Sequence, residues 1–396
     1  MYSQLGGTRM KKKRSLALTL VVLTLSVSVI YVLNLPQPEL NGTNLAVSYW
    51  HQYVMENYRP EPINPAEFDW HPPEHFIRNV PWISYRKSYC ASTCLQMIAY
   101  MYGVIEHIGY FNFITCFTYG AYLGRMGGTL FFIPSSDPIA GLARSSKYLG
   151  FRYRMLVTAD KDLFLKAVRY LIYKDLPVIL PVNASRLYGG FFSPHFVLAV
   201  GYRGDGIYIY EPVMDIEGIR YEERGIPIRA ETLAKAVMEM IRGMGYPVAW
   251  NYALIYYTPK GEMEKDFREA LRDCAELQIG MKFGGATSAV FTGAQALEAL
   301  AKAIEDGKIS PEMVNVGLNM AIVYRRDNAN FLRSAFPGVP KILEAASMLE
   351  KAASIYEEVI EILKMGYTME IRGKVAGKLR EAANYEREVG RLLASP

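Results

Sequence analysis

The stretch Ser88-Tyr-Cys-Ala-Ser-Thr-Cys-Leu-Gln-Met-Ile-Ala-Tyr-Met-Tyr-Gly103 decides how the first half of this 396-residue chain folds. Its apolar residues recur every three or four positions until the final glycine interrupts the pattern. This spacing predicts a helix with Cys90 in its first turn. The unpaired N–H groups and the dipole at a helix N-terminus favour an anion, so we expect this position to stabilise a Cys90 thiolate.

A second informative segment is Ser193-Pro-His-Phe-Val-Leu-Ala-Val-Gly-Tyr202, an apolar run that ends at the turn Arg203-Gly-Asp-Gly206. The following run, Ile207-Tyr-Ile-Tyr-Glu-Pro212, is typical of the returning strand of a hairpin. Because His195 begins the first strand and Glu211 ends the second, the hairpin predicts that the two are neighbours. A carboxylate beside an imidazole fixes its tautomer and stabilises the imidazolium, as a Cys/His catalytic pair requires.

Cys90 and His195 each have an ordinary structural interpretation as well. A cysteine on an apolar helix is often a small core residue, and a histidine on a strand is often hydrogen-bonded for structure alone. A cysteine that opens a helix, a histidine that opens a strand and an acid at the hairpin end together favour the catalytic interpretation.

The run from about Val80 to Pro212 resembles a papain-like cysteine domain, of the type found in bacteriocin-processing peptidases and in the N-terminal domain of the butirosin biosynthesis protein H family. The matching pieces are Tyr89-Cys-Ala-Ser-Thr-Cys94, Tyr102-Gly103, Leu176-Pro-Val-Ile-Leu-Pro-Val182, His195-Phe-Val-Leu-Ala-Val-Gly-Tyr202 and Gly206-Ile-Tyr-Ile-Tyr-Glu-Pro212. The resemblance implies that Cys90 is the nucleophile, His195 the base and Glu211 the orienting acid.

Two departures from that family pattern leave an alternative open. Peptidases of this type place a glutamine shortly before the cysteine as an oxyanion donor, whereas Ser84 occupies that position here. Gln96 lies almost two turns inside the helix and cannot replace it. The third member is Glu211, where the family has aspartate or asparagine. The missing glutamine favours a non-catalytic papain-like module that binds a peptide or protein partner.

The N-terminus predicts a membrane anchor. Five basic residues in 1–14 precede an uncharged run at 15–35, which at ~1.5 Å per residue can cross a bilayer core of ~30 Å. The positive-inside rule places 1–14 in the cytoplasm and the bulk of the chain outside it. A cleaved signal peptide is the competing interpretation, but the run offers no small-x-small cleavage site, so we favour an uncleaved anchor.

Charge and motifs exclude several ligand classes. The five basic residues of the tail account for the whole net charge of +5, which argues against a nucleic-acid partner. The prolines of His71-Pro-Pro-Glu-His75 prevent the helix that would align two imidazoles on a metal. We therefore expect no metal and no cofactor. Asn41-Gly-Thr43 and Asn183-Ala-Ser185 match the N-glycosylation pattern, which is consistent with export.

Four cysteines do not make a disulfide scaffold. If Cys90 stays reduced, Cys94, Cys116 and Cys274 can supply one bridge with one cysteine left over. Proximity along the chain favours Cys94 with Cys116, although the sequence alone leaves the connectivity open.

The chain divides into five predicted regions. A cytoplasmic tail (1–14) and anchor (15–35) precede an extended linker (36–79), rich in aromatic residues and proline. Residues 80–259 combine helices with an antiparallel sheet and predict an α+β cysteine domain, in which the glycine-rich stretch 119–128 is a loop. Residues 260–396 have the helical period and predict an all-α bundle.

The bundle also resembles the C-terminal region of the butirosin H-type proteins. The resemblance lies in Phe291-Thr-Gly-Ala-Gln-Ala-Leu297, in Tyr324-Arg-Arg-Asp-Asn-Ala-Asn-Phe-Leu332 and in the Ala/Glu-rich helix that follows. We expect Arg325, Arg326 and Asp327 to lie on a solvated helix face.

These observations predict a membrane-anchored, extracytoplasmic thiol enzyme of papain-like type. Its nucleophile would form a thioester and pass the acyl or peptidyl group to water, as a peptidase or amidase does, or to an amine, as an acyltransferase does. An exported enzyme does not meet a cytosolic acyl carrier protein, so a peptide, an amide or a lipid-linked acyl donor is the expected substrate. The alternative is the inactive binding module.

Overall fold

The computed structural model describes residues 44–68, 70–126, 129–190, 192–213, 224–243, 250–280, 282–283 and 290–396. The predicted tail at 1–14 and anchor at 15–35 lie outside these ranges, as does Asn41. Among the helices that are described, none has both the length and the apolar character needed to cross a bilayer.

A large mixed sheet lies at the centre of the first half. Its spatial order is β1 (Pro60–Pro62), β5 (Phe151–Thr158), β10 (Tyr252–Pro259), β6 (Val178–Asn183), β7 (Pro194–Arg203), β8 (Gly206–Tyr210) and β9 (Ile226–Arg229), and β2 (Glu74–Phe76) pairs with β7. β1 runs parallel to β5, and the other neighbours are antiparallel. Strand β6 is buried throughout, which explains its unbroken apolar sequence.

Helices cover this sheet. Helix α2 (Cys90–Met101) packs against β7 and contacts α3 (Ile108–Thr115) and α4 (Pro138–Ser145). Helix α5 (Lys161–Tyr173) packs against β7, α7 (Ala230–Gly243) packs against β6, and the short α6 (Ala184–Tyr188) contacts α7. Mixed helices and sheet followed by a helical region confirm the predicted α+β class.

The segment predicted to be an extended linker contains a helix, α1 (Asn44–Tyr58). Val54 and Tyr58, four residues apart, are fully buried, and the Tyr58 hydroxyl donates to Asp137 Oδ2 at 2.6 Å. Two buried anchors one turn apart stabilise a helix whose sequence has little periodicity, because tertiary packing overrides the weak local pattern.

The glycine-rich stretch predicted to be a loop forms a strand, β3 (Tyr122–Met126), paired with β4 (Thr129–Ile133). Strands β12 (Val290–Thr292) and β11 (Lys282–Phe283) extend this second sheet to four strands. Gly124 explains why the composition misled the prediction. A Cβ there would lie 2.7 Å from Cε1 of the Tyr122 ring, so the glycine provides space for an aromatic side chain within a regular strand.

The C-terminal region is helical, as predicted, apart from those two short strands. Its helices are α8 (Arg268–Ile279), α9 (Gly293–Glu305), α10 (Pro311–Ala335), α11 (Pro340–Lys364) and α12 (Met369–Ala394). Buried residues of α10 and α11, including Tyr324, Leu332 and Ile342, belong to the same apolar cluster as the large sheet. The helical region therefore completes the core around that sheet.

The prediction of a solvated helix face is wrong for Arg325, which is 1% exposed. Its Nε donates to Glu386 Oε1 at 2.6 Å, Nη1 to the Thr118 carbonyl at 2.7 Å and Nη2 to the Gly120 carbonyl at 2.6 Å. A charge pattern cannot distinguish such a paired, buried cation from a surface one. Arg326, the next residue, is solvated and pairs with a surface glutamate.

Candidate active site

Cys90 is the first residue of α2, and its side chain is 8% exposed. The preceding residue, Tyr89, provides no side-chain cap for the helix. The first N–H groups of an α-helix have no partners within the helix, so at an uncapped N-terminus they are donors for a nearby anion. These N–H groups can stabilise a negative charge on the Cys90 sulfur or on an oxyanion that forms next to it.

His195 and Glu211 meet across the β7–β8 hairpin. His195 lies near the start of β7, and Glu211 follows the last residue of β8. The His195 Nε2 and Glu211 Oε1 atoms are 2.7 Å apart, and Glu211 is completely buried. A buried carboxylate at hydrogen-bond distance holds the imidazole ring in one orientation.

Cys90 lies close enough to His195 to contribute to the shift in the pKa of the imidazole. Because Glu211 occupies Nε2, Nδ1 is the ring nitrogen left to face the thiol. Burial acts to lower the pKa of His195, but the charge of Glu211, its hydrogen bond to the ring and the neighbouring Cys90 act against it. The net result raises the pKa from 6.5 to about 10, so the imidazolium is the favoured form at neutral pH.

The Glu211 carboxylate accepts two further hydrogen bonds. The backbone N–H of Val213 donates to Oε1 at 2.9 Å, and the Tyr188 hydroxyl donates to Oε2 at 2.5 Å. Tyr188 is the last residue of α6, and nothing in its sequence context predicted a place in the site. Three hydrogen-bond donors hold this carboxylate in place opposite the imidazole.

The backbone of Glu211 is held as well. Trp82 Nε1 and Ser84 Oγ both donate to its carbonyl, at 2.9 and 3.0 Å. Ser84 is the residue that stands where the papain-like pattern expected from the sequence has a glutamine. Its hydroxyl is directed to this carbonyl and is thus a structural support for Glu211.

Gln96 is engaged away from Cys90. Its Oε1 accepts from the Tyr85 hydroxyl at 3.0 Å, and its Nε2 donates to the Glu106 carbonyl at 3.0 Å and to Tyr100 Oη at 3.3 Å. These three hydrogen bonds occupy the Gln96 amide and hold α2 against its neighbours. The backbone N–H groups at the start of α2 are therefore the oxyanion donors that this geometry offers.

Helix α10 holds the segment that leads into Cys90. The buried Tyr324 hydroxyl donates to the Ser88 carbonyl at 2.7 Å, and Lys87 Nζ lies 2.6 Å from Asp327 Oδ2, which also accepts from the Tyr89 hydroxyl. Burial raises the pKa of Tyr324, and negative charge at Cys90 raises it further, which shows how close the bundle comes to the thiol. The helical region thus forms part of the site.

The other cysteines lie elsewhere in the core. Cys94 is fully buried, and burial, with the charges of Cys90 and Glu211, raises the pKa of its thiol well above the ordinary value. The pairing of Cys94 with Cys116 that chain proximity favoured is absent, because all four cysteines are free in this structure. Cys116 lies against Cys274 instead, with the two sulfurs 3.0 Å apart, because α8 packs beside the end of α3.

No cluster of three or more metal-ligating side chains occurs within the described residues. The two histidines of the Pro-Pro motif make separate contacts: His71 Nδ1 lies 2.9 Å from the Pro72 carbonyl and His75 Nε2 lies 2.8 Å from Asp175. Asn183 is buried, and its amide oxygen caps α6 while its Nδ2 donates to Glu239 at 2.9 Å. In the folded protein its amide is unavailable as a glycosylation acceptor.

A cavity of about 780 Å³ lies beside the segment that precedes Cys90. Tyr85 and Tyr89 form one side, the start of α3 a second and the last turns of α10 a third. Phe331 and Phe336 supply an aromatic wall, and polar groups occur around it.

No family model matches the chain, and no curated protein matches it in sequence. Among solved structures, it is similar to a crystal structure described as a C39-like peptidase from Bacillus anthracis. The two proteins are 16% identical, the match covers 48% of this chain and 99% of that chain, and the TM-score is 0.32.

Proposed function

We propose that this protein is a papain-like thiol enzyme that hydrolyses or transfers an acyl or peptidyl group through a thioester on Cys90. The observation that carries the proposal is the 2.7 Å hydrogen bond between His195 and the buried Glu211, with Cys90 at the helix start beside the imidazole. A thiol, an imidazole held in one orientation and a buried acid at the N-terminus of a helix form the arrangement that nucleophilic catalysis by cysteine uses.

In the first half of the reaction, the Cys90 thiolate attacks the carbonyl carbon of the bound donor. The oxygen becomes negative and is stabilised by the backbone N–H groups at the start of α2. His195, held as imidazolium by Glu211, gives its proton to the leaving amine. The C–N bond breaks, the amine departs, and the acyl group remains on Cys90 as a thioester.

In the second half, the neutral imidazole accepts a proton from water or from an acceptor amine as that nucleophile attacks the thioester. The C–S bond breaks, and the Cys90 thiolate and the His195 imidazolium are restored. Water yields hydrolysis and an amine yields transfer, so the same group of three residues supports both reactions.

We place the enzyme outside the cytoplasm on the strength of the basic tail and the apolar run at 15–35. A single-pass anchor would hold residues 36–396 on the outer side of the membrane. A peptide, an amide or a lipid-linked acyl donor is the substrate class that such an enzyme would meet.

A second candidate function is a binding module without catalysis. Two observations favour it: Ser84 and Gln96 are both engaged in structural hydrogen bonds, and the cavity beside Tyr85 and Tyr89 offers space for a ligand. In that case Cys90 would contact a bound peptide without forming a covalent bond.

The test is to trap the thioester. The purified protein is incubated with a panel of activated acyl esters and acyl amides, quenched in acid and analysed by mass spectrometry with peptide mapping. We expect an acyl adduct on Cys90 that hydroxylamine removes at neutral pH, and we expect Cys90→Ala to lack it.

Two controls make the result specific. Cys94→Ala removes a neighbouring thiol of the same helix and should leave the adduct in place, because Cys94 is wholly buried. His195→Ala should slow adduct formation. A protein that binds the panel members but forms no adduct on Cys90 would support the binding module and contradict the enzyme.

A further inference from the structure

The cysteines outside the proposed site form a pair. Cys116 is the C-cap that follows the last residue of α3, Cys274 lies in α8, and both are completely buried. Their sulfurs are 3.0 Å apart, although the residues are 158 positions apart in the chain. We propose that Cys116 and Cys274 are a modification site, joined by a disulfide when the protein folds in an oxidising compartment.

The surroundings of the pair support bond formation. Cys116 Sγ lies 3.9 Å from the carbonyl of Ala270, a residue of α8. Cys274 Sγ also lies 3.6 Å from the Phe113 carbonyl, so both sulfurs are held at the α3–α8 contact. A small side-chain movement brings them to the bonded distance of ~2.05 Å.

The chemistry requires a disulfide donor, either a thiol–disulfide oxidoreductase or a low-molecular-weight disulfide such as oxidised glutathione. The Cys116 thiolate attacks the donor disulfide, forms a mixed disulfide and releases one donor thiolate. The Cys274 thiolate then attacks the Cys116 sulfur and releases the second donor thiolate. The two cysteines lose two electrons and two protons in total, and the donor is reduced to two thiols.

Burial determines when this can happen. Neither sulfur is accessible once α8 is packed on α3, so the donor must react before that packing is complete. The bond would then fix the first helix of the C-terminal region to the cysteine domain. It leaves Cys90 and Cys94 reduced, as the proposed nucleophile requires.

The test uses the full chain, denatured and reduced, then refolded with a mixture of reduced and oxidised glutathione. After refolding, free thiols are alkylated under denaturing conditions and mapped by mass spectrometry. We expect alkylation at Cys90 and Cys94 only, with one linked peptide pair containing Cys116 and Cys274. The melting temperature of this form should exceed that of the reduced form by about 5 to 15 °C.

Cys94→Ala is the matched control and should keep the linked pair, whereas Cys116→Ser should lose it. Folded, reduced protein exposed to the same glutathione mixture should acquire the bond far more slowly than refolding protein. Alkylation of all four wild-type cysteines after oxidative refolding, or a linked pair that contains Cys94, would overturn the proposal.

A separate observation concerns Tyr188, whose hydroxyl is 2.5 Å from Glu211 Oε2. We infer that Tyr188 is a positioning residue for the catalytic group, an inference that rests on the proposed function. It ends α6, whose first turn is capped by the buried Asn183, and Asn183 Oδ1 also accepts from the Ser193 N–H at 3.1 Å. Asn183 thereby holds both ends of the segment that carries Tyr188. This positions the Tyr188 hydroxyl against Glu211.

The hydroxyl holds the Glu211 carboxylate in place, and the charge of that carboxylate raises the pKa of His195. Tyr188→Phe should therefore shift the rising limb of the pH profile of Cys90 alkylation to higher pH, in the same direction as Glu211→Gln and by less. Tyr208→Phe is the matched control, because Tyr208 lies on β8 with its ring packed against Phe76.

The alkylation profile separates this inference from the proposed function, since it needs no substrate. If the Cys90 profile of Glu211→Gln is shifted from that of wild type and the profile of Tyr188→Phe is not, the role of Tyr188 is overturned and the proposed function is not. A merely structural role would lower the melting temperature of Tyr188→Phe and leave the profile in place.

Discussion

Replacing Glu211 by glutamine tests the electrostatics of the site most closely. Glutamine has nearly the same shape, so it can still accept from His195 Nε2, but it carries no charge. Glu211 is completely buried and accepts from His195, Val213 and Tyr188. The substitution therefore removes the charge that favours imidazolium while it keeps most of the packing.

The size of the effect follows from the contact that changes. A hydrogen bond to a charged group contributes about 1.5 to 3 kcal/mol, against about 1 kcal/mol for a neutral one. In Glu211→Gln, the state with a Cys90 thiolate and a His195 imidazolium loses this difference in stabilisation. The population of that ionised state at neutral pH should then fall by roughly 3- to 30-fold. The rising limb of Cys90 alkylation should accordingly move up by about 0.5 to 1.5 pH units.

The assay is the rate of Cys90 alkylation by iodoacetamide between about pH 5 and pH 10, resolved by peptide mapping. Circular dichroism and a thermal melt establish that Glu211→Gln is folded. Wild-type, Glu211→Gln and His195→Ala profiles that superimpose would refute the reasoning, because a thiol insensitive to both partners is not paired with them.

Four further outcomes are expected. The pKa of His195 is raised to about 10. Its contribution to the free energy of unfolding should therefore be complete below pH 6.5 and lost as the pH rises towards 10. Denaturant titrations of wild type and His195→Gln across this pH range measure that contribution. Asp327→Asn should slow Cys90 alkylation by about two- to tenfold, because it weakens the hold of α10 on the preceding segment. Arg325→Met should cost about 3 to 5 kcal/mol in urea unfolding, because it leaves Glu386 buried without its cation, and adding Glu386→Gln should recover part of this. Protease added to intact cells or spheroplasts should digest residues 37–396, and full protection would contradict the proposed orientation.

Local patterns predicted the elements that carry the site. The period of α2 gave the position of Cys90, and the strand-turn-strand pattern gave the hairpin on which His195 and Glu211 face each other. Both are short-range arguments, because a helix start and a hairpin are determined by neighbouring residues.

The parts that were missed depend on contacts between distant residues. Tyr188 lies 23 positions before Glu211, and Asp327 lies 240 positions after Lys87. No pattern within either segment indicates these partners. Arg325 illustrates the same limit, since its burial depends on carbonyl groups more than 200 positions away.

Helix α1 and strand β3 were missed for a different reason. Their local sequences are weak or contrary signals, and packing determines their structure: Val54 and Tyr58 anchor the helix, and Gly124 accommodates the Tyr122 ring in the strand.

The central claim is that Cys90 is a nucleophile activated by His195. The most direct measurement is the site-resolved alkylation rate of all four cysteines in the folded protein near neutral pH, for wild type and His195→Ala. We predict that Cys90 is labelled first and that its rate falls in the variant. Preferential labelling of Cys94, Cys116 or Cys274, or an unchanged Cys90 rate in His195→Ala, would contradict the claim.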